Sequence, residues 1–511
     1  MKKRKSIDYI IPYIILWLAM NILFLDRFPF MHSDESWLSG LSRAMMTQGP
    51  GVTEPFFDLL PRYPHAIKLL FHTLQMGFIA VFGYGLFSVR LISLLFGAGT
   101  LFVFYKLALL LTGKKKSAFA VTVLLSIDVQ FLYASHMARQ DIVIAFGILA
   151  VLYYVLNNIS AWRPKNDIVM GAMLGILVGV HPNSLIAALC AGALYLYFIA
   201  EKKLCLRNLL LLAGVTAMGA ALFVGVSLSF DPGFFSHYAR YGSELGVALS
   251  LPEKLAGLPA YYAKLFLRVG STYYLPPIQL QLVLFGICVA AGAICAFFRR
   301  DILRCLLPVV ALNVGLVIIG RYSQPGIILL FPLCYLLAYY LISLAPWRGK
   351  WLPAALYGAA MLLVTVLAVT PCLNSGYEEY LGNIRSLVPK DAHTLANLNA
   401  EYAFDNGALI DYRNLAYLEQ NGMTFEEYMR KNEVEYIVYP GEMDFIYTNR
   451  PVFNILYGNL SPYYGDMQRF LEENCSLIGS FESPYAMRIV QYSQREAWEV
   501  RVYRVKEEFA G

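Results

Sequence analysis

The chain has 511 residues, 58% of them hydrophobic and 15% charged, with a mean hydropathy of +0.53 and a formal net charge of +6. Soluble domains carry roughly 25% charged residues, so this composition excludes an ordinary soluble protein and describes a polytopic α-helical membrane protein. The Lys and Arg residues come in short clusters between apolar runs, which is a topology signal and argues against a nucleic-acid partner.

The N-terminus reads Lys2-Lys3-Arg4-Lys5, followed by an apolar run over 9–25 without a small-residue cleavage site. That pattern predicts a retained first helix rather than a removed signal peptide. Next comes His32-Ser33-Asp34-Glu35-Ser36-Trp37, opening a helix that runs to Thr47 and stops at Gly49-Pro50. Ser33 is a suitable cap, and acids suit the positive end of a helix. Asp34, Leu38, Leu41 and Met45 recur at helical spacing, so Asp34 heads an apolar stripe fit to lie on a bilayer. Desolvation disfavours a carboxylate there, so its presence asks for a reason.

Apolar segments of near-spanning length follow at 66–83, 87–112, 117–134, 140–157, 167–181, 183–200, 207–230, 275–298, 302–320, 325–345 and 351–371. The basic clusters Lys2–Lys5, Lys114–Lys116, Arg163 with Lys165, Lys202–Lys203, Arg299–Arg300 and Arg348 with Lys350 fall on one side only if 66–83 fails to cross. The expectation is therefore about eleven spanning helices, with 66–83, carrying Lys68, His72 and Gln75, hugging the membrane within a first outer loop over 26–86. The N-terminus is then cytoplasmic, and the protein is a multi-pass plasma-membrane protein with 1–372 as its spanning domain. Residues 373–511 read as an extracytoplasmic α/β domain. Helices are expected at 377–387, 424–431 and 466–473, and strands at 394–398, 434–439, 477–481, 487–492 and 498–505. Cys372 and Cys475 share the outer side and are candidates to pair; no metal-binding Cys or His spacing occurs.

That topology gathers the chemistry on the outer face. Asp34 and Glu35 at a membrane–water interface suit a general base toward an acceptor hydroxyl or amine. Asp141 opens a spanning segment, where acids are rare, with Arg139 beside it. Arg43, Arg62, Tyr63, His65, His181, Arg321 and Tyr322 supply guanidinium, phenol and imidazole groups suited to a phosphate, although interfacial anchoring accounts for many such residues. The aromatic-rich loop 231–274 is either a flap over a site or a surface helix pair. No nucleotide-binding or hydrolase motif appears in a fitting context.

Taken in order, Ser33-Asp34-Glu35-Ser36-Trp37 through Arg43 to Gly49, Tyr63-Pro64-His65 through Arg90-Leu91 to Phe96-Gly97, Ala138-Arg139-Gln140-Asp141, and Arg321-Tyr322 with Pro325 form a recognisable set. The set resembles the GT-C-fold glycosyltransferases that use polyprenyl-phosphate sugars, the protein O-mannosyltransferase and lipid A aminoarabinose transferase group of family 39 and its bacterial relatives. The resemblance covers about residues 1–345 and implies a GT-C fold with Asp34 as base and Asp141 as a second essential acid. It also implies a polyprenyl-phosphate sugar donor, a lipid, glycan or protein acceptor, membrane lipids as surroundings, and inversion at the anomeric carbon. The family's Lys before its Pro-Pro has no clean counterpart, Arg62 or Tyr63 standing in that region. No cofactor is firmly implied by the resemblance, and it assigns no metal ligands; a divalent cation bridging Asp34 and Asp141 is the open alternative. Two other readings remain at this point: a transporter or flippase of lipid-linked sugars, and an envelope-assembly scaffold. The transporter reading expects mid-membrane charges and internal repeats, and the segments read as apolar through their centres.

Overall fold

A computed structural model describes residues 9–510, apart from 245–246, 270–271, 347–348, 375, 452–456, 458, 487 and 489–496. The helices in chain order are α1 (Ile10–Ile22), α2 (Ser33–Gln48), α3 (Leu69–Phe82), α4 (Leu86–Thr112), α5 (Lys115–Ser126), α6 (Val129–His136), α7 (Asp141–Asn158), α8 (Pro164–Val178), α9 (Leu185–Ala200), α10 (Leu206–Phe230), α11 (Phe234–Glu244), α12 (Leu251–Leu267), α13 (Gln279–Phe298), α14 (Leu303–Ile319), α15 (Phe331–Leu344) and α16 (Leu352–Val369). Among the described residues eight helices are long and apolar enough to cross a membrane, or nine if α5 and α6 form one broken span. By length and composition the described helices thus fall short of the expected eleven. Helix α1 has 13 described residues and α8 has 15, below the roughly 20 of a full-length span. Helix α3, with 14 residues, rises only about 21 Å, in keeping with a segment that does not cross.

The span expected over 117–134 is broken. Helices α5 and α6 meet at 66°, and Asp128 makes the break. Its Oδ1 accepts the amides of Gln130 and Phe131 at 2.8 and 2.9 Å, and its Oδ2 accepts Gln281 Nε2 and the Tyr335 hydroxyl at 3.0 and 2.6 Å. This acid corrects the reading of uniformly apolar centres. It caps a helix start and ties it to α13 and α15, as buried carboxylates must be tied. The break aims α6 so that its end delivers Ala138-Arg139 to the site.

Helices α8 and α10 pack through glycine. A Cβ on Gly219 would lie 2.6 Å from the Gly175 Cα, and one on Gly171 or Gly179 would strike Val215 or Phe223. Small residues let backbones meet where dispersion, not water exclusion, drives association. Gly219→Val is expected to cost about 1–3 kcal/mol, seen as a lowered unfolding temperature of the detergent-solubilised protein. Gly225→Ala, on the same helix with open space around it, is the control and should leave that temperature unchanged.

Beyond α16 the chain forms α17 (Tyr377–Leu387), a five-stranded sheet of order β2-β1-β3-β5-β4, and helices α18 (Phe425–Lys431), α19 (Glu442–Asn449) and α20 (Tyr464–Asn474). The strands are β1 (Thr394–Ala396), β2 (Leu409–Asp411), β3 (Tyr436–Pro440), β4 (Cys475–Ser483) and β5 (Trp498–Val505). Strands β2, β1 and β3 run parallel, while β5 pairs antiparallel with both β3 and β4. The period of two divides the sheet between two cores. Tyr436, Val438, Val500 and Val502 join the core that continues from the helical part, while Ile437, Tyr439 and Val505 pack beneath α18 and α20. The sheet unit is thus built into the helical part. The strand expected at 487–492 falls largely outside the described residues. Cys372 and Cys475 are unbridged thiols.

Candidate active site

Helix α2 is the pivot. Its N-cap is His32, not Ser33: His32 Nδ1 accepts the Asp34 amide at 3.0 Å, and Glu35 Oε1 accepts the His32 amide at 3.0 Å. This is a reciprocal capping box. Adjacent helical residues point about 100° apart, so the two acids part company. Glu35 turns inward and is fully buried. Arg90 of α4 grips both its oxygens at 2.8 and 2.7 Å, and the Ala138 amide donates to it at 2.8 Å. Every position on this carboxylate is engaged, so Glu35 is a brace joining α2, α4 and the α6–α7 junction rather than the catalytic group expected.

Asp34 faces a cavity. The space opens to the molecular surface and is lined by residues of the α2 stripe (Asp34, Trp37, Leu38, Leu41, Met45) and by Arg62, Tyr63, His65, Lys68, Arg139, His181 and Arg321. The stripe thus walls the cavity instead of lying on lipid. The other sides of α2 are taken up: Ser42 Oγ meets His72 Nδ1 and Gln75 Oε1 at 2.8 and 2.6 Å, and Ser39 Oγ meets the Tyr402 hydroxyl at 2.8 Å. His72 and Gln75 of α3 therefore have a partner on α2.

At the inner end of the cavity Arg139 organises the charge. It pairs with Asp34, its Nε donates to Asp141 Oδ2 at 3.0 Å, and its Nη1 donates to the Tyr273 hydroxyl at 2.7 Å. Tyr273 in turn donates to Asp34 at 2.7 Å and stacks on His32 with ring centroids 4.1 Å apart. Burial alone pushes the Asp34 carboxyl up, but His32, Arg139 and the Tyr273 hydroxyl hold it well below the usual carboxylate range. Burial takes the His32 imidazole down to about 4 against the pull of Asp34, so at neutral pH it is uncharged and Arg139 and Tyr273 carry the effect on Asp34. A guanidinium already stands between Asp34 and Asp141, in the place the bridging divalent ion was to occupy. Among the described residues no group of three or more His, Cys, Asp or Glu side chains converges on a metal position. Asp141 grips Arg139 from behind rather than lining the cavity.

The remaining candidates divide. Arg62 lies 4.7 Å from the Tyr241 ring centroid and 5.3 Å from that of Trp37; Tyr63 stacks on His237 at 3.5 Å; His65 meets Tyr238 edge-on at 5.2 Å. His181 lines the same space and caps the turn Pro182–Ser184 through Nδ1 at 3.0 Å from the Asn183 amide. Two candidates lie elsewhere. Arg43 binds Glu401 and, at 2.8 Å, the Phe404 carbonyl, so it fastens the C-terminal unit to α2. Tyr322 donates to the Lys254 carbonyl and packs on Tyr261, supporting α12. Sequence reasoning missed Lys68, Tyr273, Glu54, Asp231, His237, Arg240 and Tyr241, all of which line the cavity. Burial and the neighbouring Arg321 lower the Lys68 ammonium to about 8. The aromatic richness of loop 231–274 was the one signal toward five of them.

The family model described as dolichyl-phosphate-mannose-protein mannosyltransferase matches residues 67–228. No curated protein sequence matches the chain. Among solved structures, ArnT from Cupriavidus metallidurans bound to undecaprenyl phosphate aligns over 99% of this chain and 99% of its own, at 14% identity and a TM-score of 0.58. The same protein in the apo state gives 0.55 at 14% identity, over 98% and 99% of the two chains. The archaeal oligosaccharyltransferase AglB from Archaeoglobus fulgidus, in complex with an inhibitory peptide and a dolichol-phosphate, covers 94% of this chain and 74% of its own, at 13% identity and 0.51. At such identities the likeness concerns the fold, which is the GT-C fold.

Proposed function

We propose that the chain is a membrane glycosyltransferase that moves a sugar from a polyprenyl-phosphate carrier to an acceptor on the outer face of the membrane. One observation carries the reading: a single cavity holds the Asp34 carboxylate together with the cations Arg62, Lys68, Arg139, Arg240 and Arg321. A carboxylate suits proton removal from a nucleophile, and clustered cations suit a phosphate that gains charge as it leaves. The ArnT and AglB structures, which hold undecaprenyl phosphate and a dolichol-phosphate, support the lipid-phosphate assignment.

In this reading Asp34 takes the proton of an acceptor hydroxyl or amine. The acceptor oxygen or nitrogen bonds to the anomeric carbon as the bond from that carbon to the phosphate oxygen breaks, and the electron pair leaves with the lipid phosphate. One displacement inverts the anomeric centre. Lys68, Arg139 and Arg321 face the departing oxygens. The donor phosphate competes with Asp34 for Arg139, so the carboxylate becomes more basic once the donor is seated.

The test uses the purified full chain in nanodiscs with a polyprenyl-phosphate sugar and an envelope extract as acceptor. Release of polyprenyl phosphate matched by acceptor glycosylation is expected; donor bound but never consumed would sink the reading. A pH prediction goes with it. Lys68 is charged below about 8 and loses its proton as pH rises through that value. Affinity for polyprenyl phosphate is therefore expected to weaken several-fold above pH 8, and Lys68→Arg is expected to remove that alkaline loss in a binding titration.

A further inference from the structure

Among the described residues, two contacts of the C-terminal unit with α2 stand apart. One is a fastening away from the cavity, where Arg43 binds Glu401 and Ser39 binds Tyr402. The other is Arg413, which lies just past the end of β2. Its guanidinium stands 4.6 Å from the centroid of the Trp37 ring and 5.8 Å from that of Phe57, and Nη2 donates to Ser33 Oγ at 3.4 Å. The base of this arm is fixed. Fully buried Asp411 accepts the Arg413 amide at 2.9 Å and lies 3.7 Å from its Nε, while its other oxygen accepts the Leu398 amide at 3.0 Å. Trp37 carries the contact inward. Its Nε1 donates to Glu54 Oε1 at 2.8 Å, and Arg62 lies over the indole at 5.3 Å. Trp37, Glu54 and Arg62 all line the cavity, and Arg413 stands behind them.

We propose that Arg413 is a positioning residue through which the C-terminal unit completes the donor cavity: it clamps Trp37, and Trp37 holds Glu54 and Arg62 at the wall that receives the lipid phosphate. The inference rests on the lipid-phosphate reading of the cavity. A flat guanidinium against an indole is among the stronger cation–π contacts when desolvated, and a partly buried aromatic held on one side by such a contact and on its edge by a hydrogen bond has little freedom left. The C-terminal unit would thus act chiefly on donor affinity, Arg413 adding only the smallest of the pulls that hold the Asp34 carboxyl down.

The experiment measures binding of a short-chain polyprenyl phosphate to the full-length protein in detergent. Arg413→Ala is expected to weaken Kd about tenfold, with kcat at saturating donor within a few-fold of the original. Trp37→Phe removes the Nε1–H and is expected to weaken Kd in the same sense, and the double variant should be no weaker than the worse single one, because both act through one contact. Tyr402→Phe loosens the remote fastening and should leave Kd as it was. Where Arg413→Ala yields no folded protein, Arg413→Lys keeps a charge beside Asp411 without the flat face and is expected to weaken Kd in its place. Additive losses in the double variant, or an equal loss in Tyr402→Phe, would show that the unit matters only by being docked, and would overturn the proposal. Equal binding by Arg413→Ala and the unmodified protein overturns it while the cavity reading stands. No binding by the unmodified protein overturns both.

Discussion

Asp34→Asn is expected to lower sugar transfer about a thousandfold, the middle of the range for removing a general base, while leaving polyprenyl-phosphate affinity within a few-fold of the original. Asparagine keeps the shape of the side chain and can still accept from Tyr273 and Arg139, so the change reads proton transfer rather than architecture. The pH dependence sharpens the test. The Asp34 carboxyl is held below the usual range, so in the free protein its charge is present throughout the neutral range and is lost only as pH falls through that depressed value. The profile of kcat/KM, which reports free enzyme, should therefore show no acid limb from Asp34 between pH 5 and 8. The profile of kcat reports the loaded enzyme. There Arg139 has been drawn toward the phosphate, so the acid limb should lie at higher pH than in kcat/KM. Coincident limbs would mean that Arg139 never leaves Asp34, and a variant with full activity would remove Asp34 as the base.

The broad architecture was legible because hydropathy and basic clusters are local signals. The bounds 377–387 for the first C-terminal helix agree with α17, and the strands at 434–439, 477–481 and 498–505 correspond to β3, β4 and β5. The helix count was not legible in the same way. Hydropathy averages composition over a window and does not register a bend, so Asp128 in the middle of 117–134 was absorbed into an apolar mean although it breaks the segment. Strand β2 was missed because three wholly buried residues carry no alternation to detect.

The site was legible in its membership more than in its roles. Arg62, Tyr63, His65, Arg139, His181 and Arg321 line one cavity. Lys68 was read as an obstacle to insertion because its place in the cavity depends on a distant contact: the start of α3 is held to the end of α8 by the Leu70 amide on the Gly179 carbonyl at 2.9 Å. The same limit applied to Arg43. It was read as a guanidinium suited to a phosphate, but the partner that decides its role, Glu401, lies 358 residues away. Burial raises the Glu401 carboxyl to about 7 against the pull of Arg43, a circumstance that no local pattern encodes.

Glu35→Ala is expected to cost the protein about 3–5 kcal/mol, the cost of leaving one member of a buried ion pair without its partner. Both side chains of the Arg90–Glu35 pair are fully buried. Without Glu35, the Arg90 guanidinium retains the Leu25 carbonyl at 2.9 Å as its hydrogen-bond partner, and the amides of His32 and Ala138 lose their acceptor. A loss of this size is a large part of a typical folding free energy of about 5–15 kcal/mol, so it should appear as a steep fall in folded yield and unfolding temperature. The double change Glu35→Leu with Arg90→Met removes the stranded charge, and buried pairs replaced this way are often tolerated. Here it should recover only part of the loss, because each unpaired amide still costs about 1–3 kcal/mol. The double variant is also expected to transfer sugar poorly even where it folds, since the same carboxylate fixes the start of α2, which carries Asp34, and the junction that carries Arg139. Fluorescence-detected size exclusion with a temperature ramp, read beside transfer activity, separates this brace from the base: Asp34→Asn should lose activity at nearly unchanged unfolding temperature, and Glu35→Ala should lose both. An unchanged unfolding temperature in Glu35→Ala would show that the cap and the junction are held by other contacts.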